Sequence, residues 1–366
     1  MGLNPFRWIR GEKLTAIDFG HYSIKAMQGR SRGGNIKILG GAEKTLPKTA
    51  VRQGQLEDIS QVAETVEKVI SDLPSSPGRI IFSPVCGREY IRRIDMPDMS
   101  GDELKEAVRW EIEKYLDQPP ETTAYDYVKL KENGNENGQV LLLVVLDKSE
   151  LKKYEQIFQE ISFTPRTANI QDLALTSLID YQGECEEDYM VLNMGAKKTR
   201  IVIARNDDFF LSRTVEIGGN DFTEVLKDTG LSDEEAEREK RTRELIMNVD
   251  DVEPMDTDID VSFTEIDNPG MELVPLADEL VTEVNRSLDF FSSRHSGEFP
   301  EKIFYTGGGF ALKGLGSYLN DNIEPPIEAL KPFGRFKGKL PAESTPSSSL
   351  AAASGLLVSE VMHDES

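Results

Sequence analysis

Cysteine is almost missing from this chain. Cys86 and Cys185 are the only two in 366 residues, so the sequence encodes no disulfide framework and no CxxC metal ligands. Its three histidines, His21, His295 and His363, are scattered and make no metal-binding pattern. Long apolar runs are missing too. The longest, residues 140–146, has the length of a strand and falls far short of a membrane-crossing helix. The opening residues, MGLNPFRWIRGEK, lack the apolar centre of a signal peptide. A reduced, cytoplasmic protein is the expectation. Basic charge is in deficit: 42 Lys and Arg face 65 Asp and Glu, a formal net charge of −23. That balance argues against nucleic acid and anionic membrane surfaces as partners, and fits basic partners or a salty cytoplasm. At this length the chain should hold two or more domains with ample core.

Against these absences stands one organised stretch, residues 14–28, LTAIDFGHYSIKAMQ. A short apolar strand ends at Asp18. Gly20, His21, Tyr22 and Ser23 follow, then a second alternating run from Ile24 to Met27, which together predict a hairpin. Such a turn presents backbone N–H groups and the Ser23 hydroxyl beside a carboxylate. That suits a phosphate tail with a hydrated Mg²⁺, although the same residues also build an ordinary turn. Residues 189–205, YMVLNMGAKKTRIVIAR, repeat the pattern, with Asn193 in the place of Asp18, Gly195 of Gly20 and Arg200 of Lys25. Two copies imply a duplicated architecture. A third glycine turn, Thr306-Gly307-Gly308-Gly309, stands between a strand and a helix, where a ligand can approach the backbone closely. Gly218 and Gly219 precede a further helix, as a hinge, a crossing or a plain turn.

Periodicity places helices over residues 59–73, 221–227, 231–244, 276–291, 312–320 and 350–361. Residues 79–165 read as an α+β insertion. Its strands are expected at 80–82, 90–96, 124–130 and 140–146. Its first helix runs to Leu116 from a capping box of Ser100 and Glu103, and its second covers 151–161. The turn NGNENG separates two of the strands. Phe6, Trp8 and Ile9 among Arg7, Arg10 and Lys13 make a basic, aromatic tag that folds on the surface or docks to a membrane or partner. Residues 247–268 are acidic and aperiodic, and 340–349 form a Pro/Ser connector.

Six motifs occur in order: IDFGHYSIKAM, DMPDMSGDELKEAVRWEIEKYL, IGGNDFTEVL, EEAEREK, EVNRSLDFF and YTGGGFALKGLGSYL. In these the chain resembles the PilM family of type IV pilus assembly proteins, actin-like ATPase-superfamily relatives of the cell-division protein FtsA. The resemblance implies an α/β, actin-like fold: duplicated RNase H-like halves around a nucleotide cleft, with an inserted α+β 1C (SHS2-like) subdomain. On that pattern residues 1–78 begin subdomain 1A, 79–165 form 1C and 166–188 return to 1A. Residues 189–335 form the second half with its acidic insertion, and 336–366 are a connector and C-terminal helix.

The resemblance also implies that ATP and Mg²⁺ are the ligands. Asp18, Gly20, Tyr22, Ser23 and Lys25 would form the first phosphate loop, with Asp18 holding Mg²⁺ through water. Asn193, Gly195 and Thr199 would form the second, with Gly218 and Gly219 nearby. Glu237 and Lys240 would meet the nucleoside, and Gly307, Gly308 and Gly309 the adenine and ribose. Here the sequence departs from the family, whose second loop usually begins with aspartate. Asn193 brings no charge and no base, while Lys197 and Lys198 add positive charge. Binding with slow or absent hydrolysis is therefore expected, a weak ATPase at most, with no catalytic residue assigned.

The implied partner is the N-terminal cytoplasmic peptide of PilN, bound between the first half and the insertion. PilO and the pilus motor ATPase would be engaged indirectly, at the inner face of the cytoplasmic membrane, in functions such as twitching motility. Competing readings are an FtsA-like membrane-tethered filament and an actin-fold kinase. The terminal residues SGLLVSEVMHDES lack the basic residues of a tether. A kinase base could only be nominated among Asp95, Asp126 and Asp172.

Overall fold

A computed structural model describes residues 11–52, 55–86, 89–115, 119–130, 138–206, 208–246, 269–338 and 347–365. The N-terminal aromatic tag, most of the NGNENG turn, the acidic stretch 247–268 and most of the Pro/Ser connector lie outside them. The chain forms two compact units. One holds the chain up to Glu187, Val202–Ser212 and the chain from Lys331 on; the other holds Asp188–Ile201 and Arg213–Leu330.

The first unit is built on β1 (Glu12–Phe19), β2 (Ser23–Arg32) and β3 (Asn35–Thr45), an antiparallel meander. β4 (Arg79–Ser83) pairs parallel with the other edge of β1, and β8 (Thr167–Ala168) pairs parallel with β4. With β14 (Lys337–Gly338) the sheet order is β8-β4-β1-β2-β3-β14. Every residue from Leu14 to Phe19 is buried, as a central strand with both faces covered requires.

Ile17 and Phe19 point to α1 (Ile59–Ser71) and α3 (Lys148–Glu160), in one core with Val62, Val66, Tyr154, Ile157 and Phe158. Phe19 meets Tyr154 edge-on at 4.9 Å between ring centroids. The opposite face is covered by α9 (Ala351–Glu365), which packs on β1, β2 and α4 (Gln171–Gln182). Asp58 caps α1 by accepting the Gln61 N–H at 3.0 Å, and Asp147 caps α3 by accepting the Ser149 N–H at 2.7 Å. Residues 350–361 are helical as the periodicity predicts. All of them but Ser359 are buried in this unit.

The insertion is smaller than the sequence suggests. β4 belongs to the main sheet and α3 to its core, so the inserted body runs from Glu89 to Asp147 rather than over 79–165. The misreading has a physical source. β4 is a short apolar strand like its neighbours in the insertion, and nothing local says which sheet it joins. The body itself has β5 (Glu89–Pro97), β6 (Thr123–Lys129) and β7 (Gly138–Asp147) in the antiparallel order β5-β7-β6. α2 (Gly101–Tyr115) covers one face with Leu104, Val108 and Ile112 against Ile94, Leu141, Leu143 and Val145.

The second sheet has the order β11-β10-β9-β12-β13, from β9 (Tyr189–Met194), β10 (Thr199–Arg205), β11 (Asp208–Val215), β12 (Lys302–Thr306) and β13 (Ile327–Ala329). β9 pairs parallel with β12, and β12 parallel with β13. A strand–turn–strand followed by a third strand on one side, with two parallel strands on the other, is the arrangement of the first sheet. The duplication legible in residues 14–28 and 189–205 is therefore a duplication of fold. Among the described residues no helix is long and apolar enough to cross a membrane.

α9 and α4 lie so close that a β-carbon at Gly355 would overlap the Ala174 carbonyl. Gly355→Ala is expected to cost about 1–3 kcal/mol by forcing the helices apart. Urea denaturation measures it, and an unchanged midpoint would show that the contact yields freely.

Candidate functional site

The first turn hangs from the end of β1. The Gly20 N–H donates to the Ser23 carbonyl at 3.1 Å and closes it. Asp18 is 2% exposed. Its Oδ1 accepts from Ser83 Oγ at 2.5 Å and from Gln171 Nε2 at 2.6 Å, while Oδ2 has Lys25 Nζ at 3.8 Å. Register explains these neighbours, since Asp18 stands opposite Lys25 on β2 and Ser83 on β4. Ser23 is buried, and its hydroxyl donates to Glu43 Oε1 at 2.6 Å; Ser349 Oγ donates to the other oxygen at 3.1 Å. The Ser23 proton thus points into the sheet and is not offered at the turn. Tyr22 is 42% exposed.

In the second unit the remaining glycine turns converge. Gly195 N–H donates to the Lys198 carbonyl at 2.9 Å, closing the turn between β9 and β10. Thr199, fully buried, donates its hydroxyl to the Ile217 carbonyl at 2.7 Å. That bond ties the turn to the start of α5 (Gly219–Asp228). Gly219 and Asn220 then donate to the carbonyls of Gly195 at 2.9 Å and Ala196 at 2.7 Å. A β-carbon at Gly218 would lie 2.5 Å from the Lys197 carbonyl carbon, and one at Gly219 would lie 3.2 Å from Gly309 Cα. Gly307 has φ +98°, and a β-carbon there would sit 2.7 Å from Asn193 Oδ1. Gly308 faces open space. Glycine is required here because three backbone segments come within van der Waals contact.

α6 (Asp233–Thr242) adds a buried pair to this surface. Lys240 Nζ donates to Glu237 Oε1 at 2.7 Å, to Thr223 Oγ1 at 2.6 Å and to the Gly219 carbonyl at 2.8 Å. All three of its protons are committed. Lys240 therefore buttresses the α5 N-terminus from behind. Burial alone would raise the Glu237 carboxyl, but the Lys240 hydrogen bond and charge and the Thr223 hydroxyl outweigh it and hold it below its ordinary value. Burial depresses the Lys240 ammonium, an effect that Glu237 partly offsets.

Sequence reasoning missed the groups that fix these residues. Ser83 and Gln171 stand 65 and 153 positions from Asp18, and Glu43 and Thr223 are ordinary polar residues 20 and 17 positions from Ser23 and Lys240, so only the sheet order and helix packing reveal them. Among the described residues no cluster of three or more His, Cys, Asp or Glu could hold a metal. The residues nominated as kinase bases do not meet. Asp172 is fully buried under the Ser212 hydroxyl at 2.5 Å, whereas Asp95 and Asp126 lie on β5 and β6 of the insertion.

A groove of about 750 Å³ in the first unit is lined by Ala124 to Lys129 of β6, with Leu142, Val144 and Leu146 of β7 and Ile170 and Leu173 of the first unit. Asp208 and Phe209 close one side. They are held by Arg93 of β5, which donates to Asp208 Oδ1 and the Phe209 carbonyl, both at 3.4 Å.

A protein-family model described as "Type IV pilus assembly protein PilM" matches residues 16–359. The fold is similar to that of a solved PilM–PilN type IV pilus biogenesis complex, at 20% identity over 95% of this chain and 98% of that one, with a TM-score of 0.79. It is also similar to MreB5 of Spiroplasma citri bound to AMPPNP, at 11% identity over 97% of both chains with a TM-score of 0.53. The ethanolamine utilization protein EutJ of Carboxydothermus hydrogenoformans shares 13% identity over 94% of this chain and 89% of its own, with a TM-score of 0.52. These likenesses show an actin-like fold.

Glu237→Gln tests the buried pair. A carboxyl held below its ordinary value of 4.5 stabilises the fold above that pH, and the contribution fades as pH falls through the lowered value. Wild type is expected to lose more stability than the variant between about pH 6 and pH 3.5, measured by urea midpoints. Equal losses would contradict the pairing.

Proposed function

The chain belongs to the PilM family of type IV pilus assembly proteins, and on that premise we propose that it is an ATP-binding scaffold of the inner-membrane assembly complex that holds the N-terminal cytoplasmic peptide of PilN. The observation that carries the reading is the groove along β6. It combines an apolar floor with a sheet edge that carries no further strand among the described residues, the combination by which extended peptides are bound. Its lining comes from β6 and β7 of the inserted body and from α4 and α9 of the first unit. The solved complex with a TM-score of 0.79 is described as one of PilM with PilN, which supports the same partner. In this reading the protein sits at the inner face of the cytoplasmic membrane through PilN, and PilO and the motor are reached indirectly.

ATP fits the residues present. The turns at Gly195 and Gly308 are backbone-lined, the second opens to free space, and Lys197 and Lys198 stand on the first. Asp18 keeps Oδ2 clear of hydrogen bonds from Ser83 and Gln171, so it suits a water-mediated Mg²⁺ with Lys25 as the competing cation. When bound, the metal would neutralise phosphate charge. Asn193 supplies no carboxylate, and neither Glu237 nor Lys240 has a free proton-transfer role. Slow or absent hydrolysis follows. An FtsA-like tether is disfavoured because α9 is buried in the first unit.

A mant-ATP titration should show Mg²⁺-dependent binding that Asp18→Ala weakens, with phosphate release well below about 1 s⁻¹. Sustained turnover at that rate would overturn the slow-hydrolysis reading. Pull-down with a synthetic PilN N-terminal peptide should succeed, and more strongly with saturating ATP if nucleotide biases the groove. Equal capture with and without ATP would remove the coupling and leave the scaffold.

A further inference from the structure

The two faces of the inserted sheet are dissimilar. Tyr125, Tyr127, Leu141, Leu143 and Val145 face α2 and its core. The alternate residues face the groove. They are Leu142, Val144 and Leu146 of β7, with Leu146 opposite Ala124, Val144 opposite Asp126 and Leu142 opposite Val128. On the β6 half of that face Asp126 is the charged residue, between Ala124 and Val128, while β5 adds Glu89, Ile91, Arg93 and Asp95 to the same face.

The edge of β6 can be read from one bond. The Leu130 N–H donates to the Val140 carbonyl at 2.9 Å. In an antiparallel pair, residues turned toward the partner strand alternate with residues turned away. Ala124, Asp126 and Val128 therefore bond β7, and Tyr125, Tyr127 and Lys129 direct their N–H and C=O groups out from the sheet. β6 is an outer strand of its sheet. Of the outward amides, that of Tyr127 donates to Asp126 Oδ1 at 2.9 Å. The carboxylate thus caps the middle of the edge on which an extended segment would pair.

Resting on the peptide-groove reading, we propose that Asp126 is the specificity-determining residue of this edge. It covers the Tyr127 amide while the edge is unpaired. When an extended segment pairs with β6, it yields that amide and turns to a cationic side chain of the incoming segment. The groove thereby selects a segment whose apolar residues are flanked by Lys or Arg. An acidic or uncharged segment takes the Tyr127 amide and gives the exposed Asp126 carboxylate no opposite charge in return, whereas a cationic one does. The formal charge of −23 on the chain acts in the same direction by attracting basic segments. Strand edges are commonly blunted by charge to prevent aggregation, and a device that merely blunts the edge would not discriminate among peptides.

The test uses the full chain and fluorescein-labelled synthetic PilN N-terminal peptide, together with a version in which each Lys and Arg is replaced by Gln, in anisotropy titrations at low salt. Wild type should favour the native peptide over the neutral one, and Asp126→Asn should reduce that preference by about threefold to tenfold. Asp126→Ala should bind the neutral peptide more tightly than wild type does, and should show faster hydrogen exchange at the Tyr127 amide. If every variant keeps the same native-to-neutral ratio, the proposal about Asp126 fails while the groove reading stands. If neither peptide binds wild type, the groove reading fails and takes the proposal with it.

Discussion

Burial of β1 on both faces is the constraint on which the rest of the structure depends. A strand with six consecutive buried residues, Leu14 to Phe19, needs a layer on each side and a neighbour on each edge. The edges are taken by β2 and β4, and one face by α1 and α3. The other face is closed by α9, from the far end of the sequence, so the first unit cannot be completed until the chain returns. The return is exact in its chemistry: Gly355 lets α9 settle on α4, and Glu360, 4% exposed, takes Arg79 at 3.0 Å. Arg79 also holds Glu12 at 3.0 Å, so the start of β1, the start of β4 and α9 share one guanidinium. Asp18 inherits its position from this arrangement, because Ser83 reaches it only while β4 is in register.

The same constraint, applied twice, yields two halves that are alike in order and unlike in charge. At the end of β1 a carboxylate is anchored by Ser83 and Gln171 and faced by Lys25. At the end of β9 the corresponding residue is an amide, with the glycine at 307 pressed against it. The first turn is built from side chains and the second largely from backbone. Where three backbone segments meet, side chains have no room, and the polar residues move behind the surface to brace it. Lys240 shows the consequence. Its charge stands close to the Gly219 backbone, yet each of its protons is spent on Gly219, Thr223 and Glu237. Its influence there is on the position and potential of the α5 N-terminus.

Much of this was legible in the sequence, and the reasons differ by element. The hairpins and amphipathic helices are local facts, written in alternation and in 3.6-residue spacing, and they stand where expected. The repeated strand–turn–strand unit announced the duplication because it copies both the turn chemistry and the strand flanks. Sheet membership is a different matter. The strand at 79–83 spells an apolar run as any other strand does, and only its parallel register with β1 assigns it to the main sheet. The fate of Ser23 was equally hidden. A serine in a glycine turn suggests an offered hydroxyl, but the alternation that buries Ile24 and Ala26 on one side also turns Ser23 toward Glu43 on β3. The groups that brace the site come from 65 and 153 positions away, as the Ser83 and Gln171 bonds to Asp18 show. No local pattern can encode such separations.

The insertion poses the opposite problem to β1. A three-stranded sheet with a helix on one face has a second, largely aliphatic face left over and, among the described residues, an outer strand with no further strand beside it. Such a surface is stable in water only if something covers it or charge protects it. Part of the cover comes from Leu151, Ile170 and Leu173 of the first unit, across a groove that remains open. At the edge stands Asp126, the one charged side chain that β6 directs to this face. An aspartate is too short to reach across the groove, but it can fold back on the following amide, and the Tyr127 bond at 2.9 Å is that fold. Lys or Glu at this position would extend into the groove and obstruct it; Ser would cap the amide without charge. The residue present both protects the edge and leaves the floor clear, which a surface must do if it is to stay unpaired until its own segment arrives.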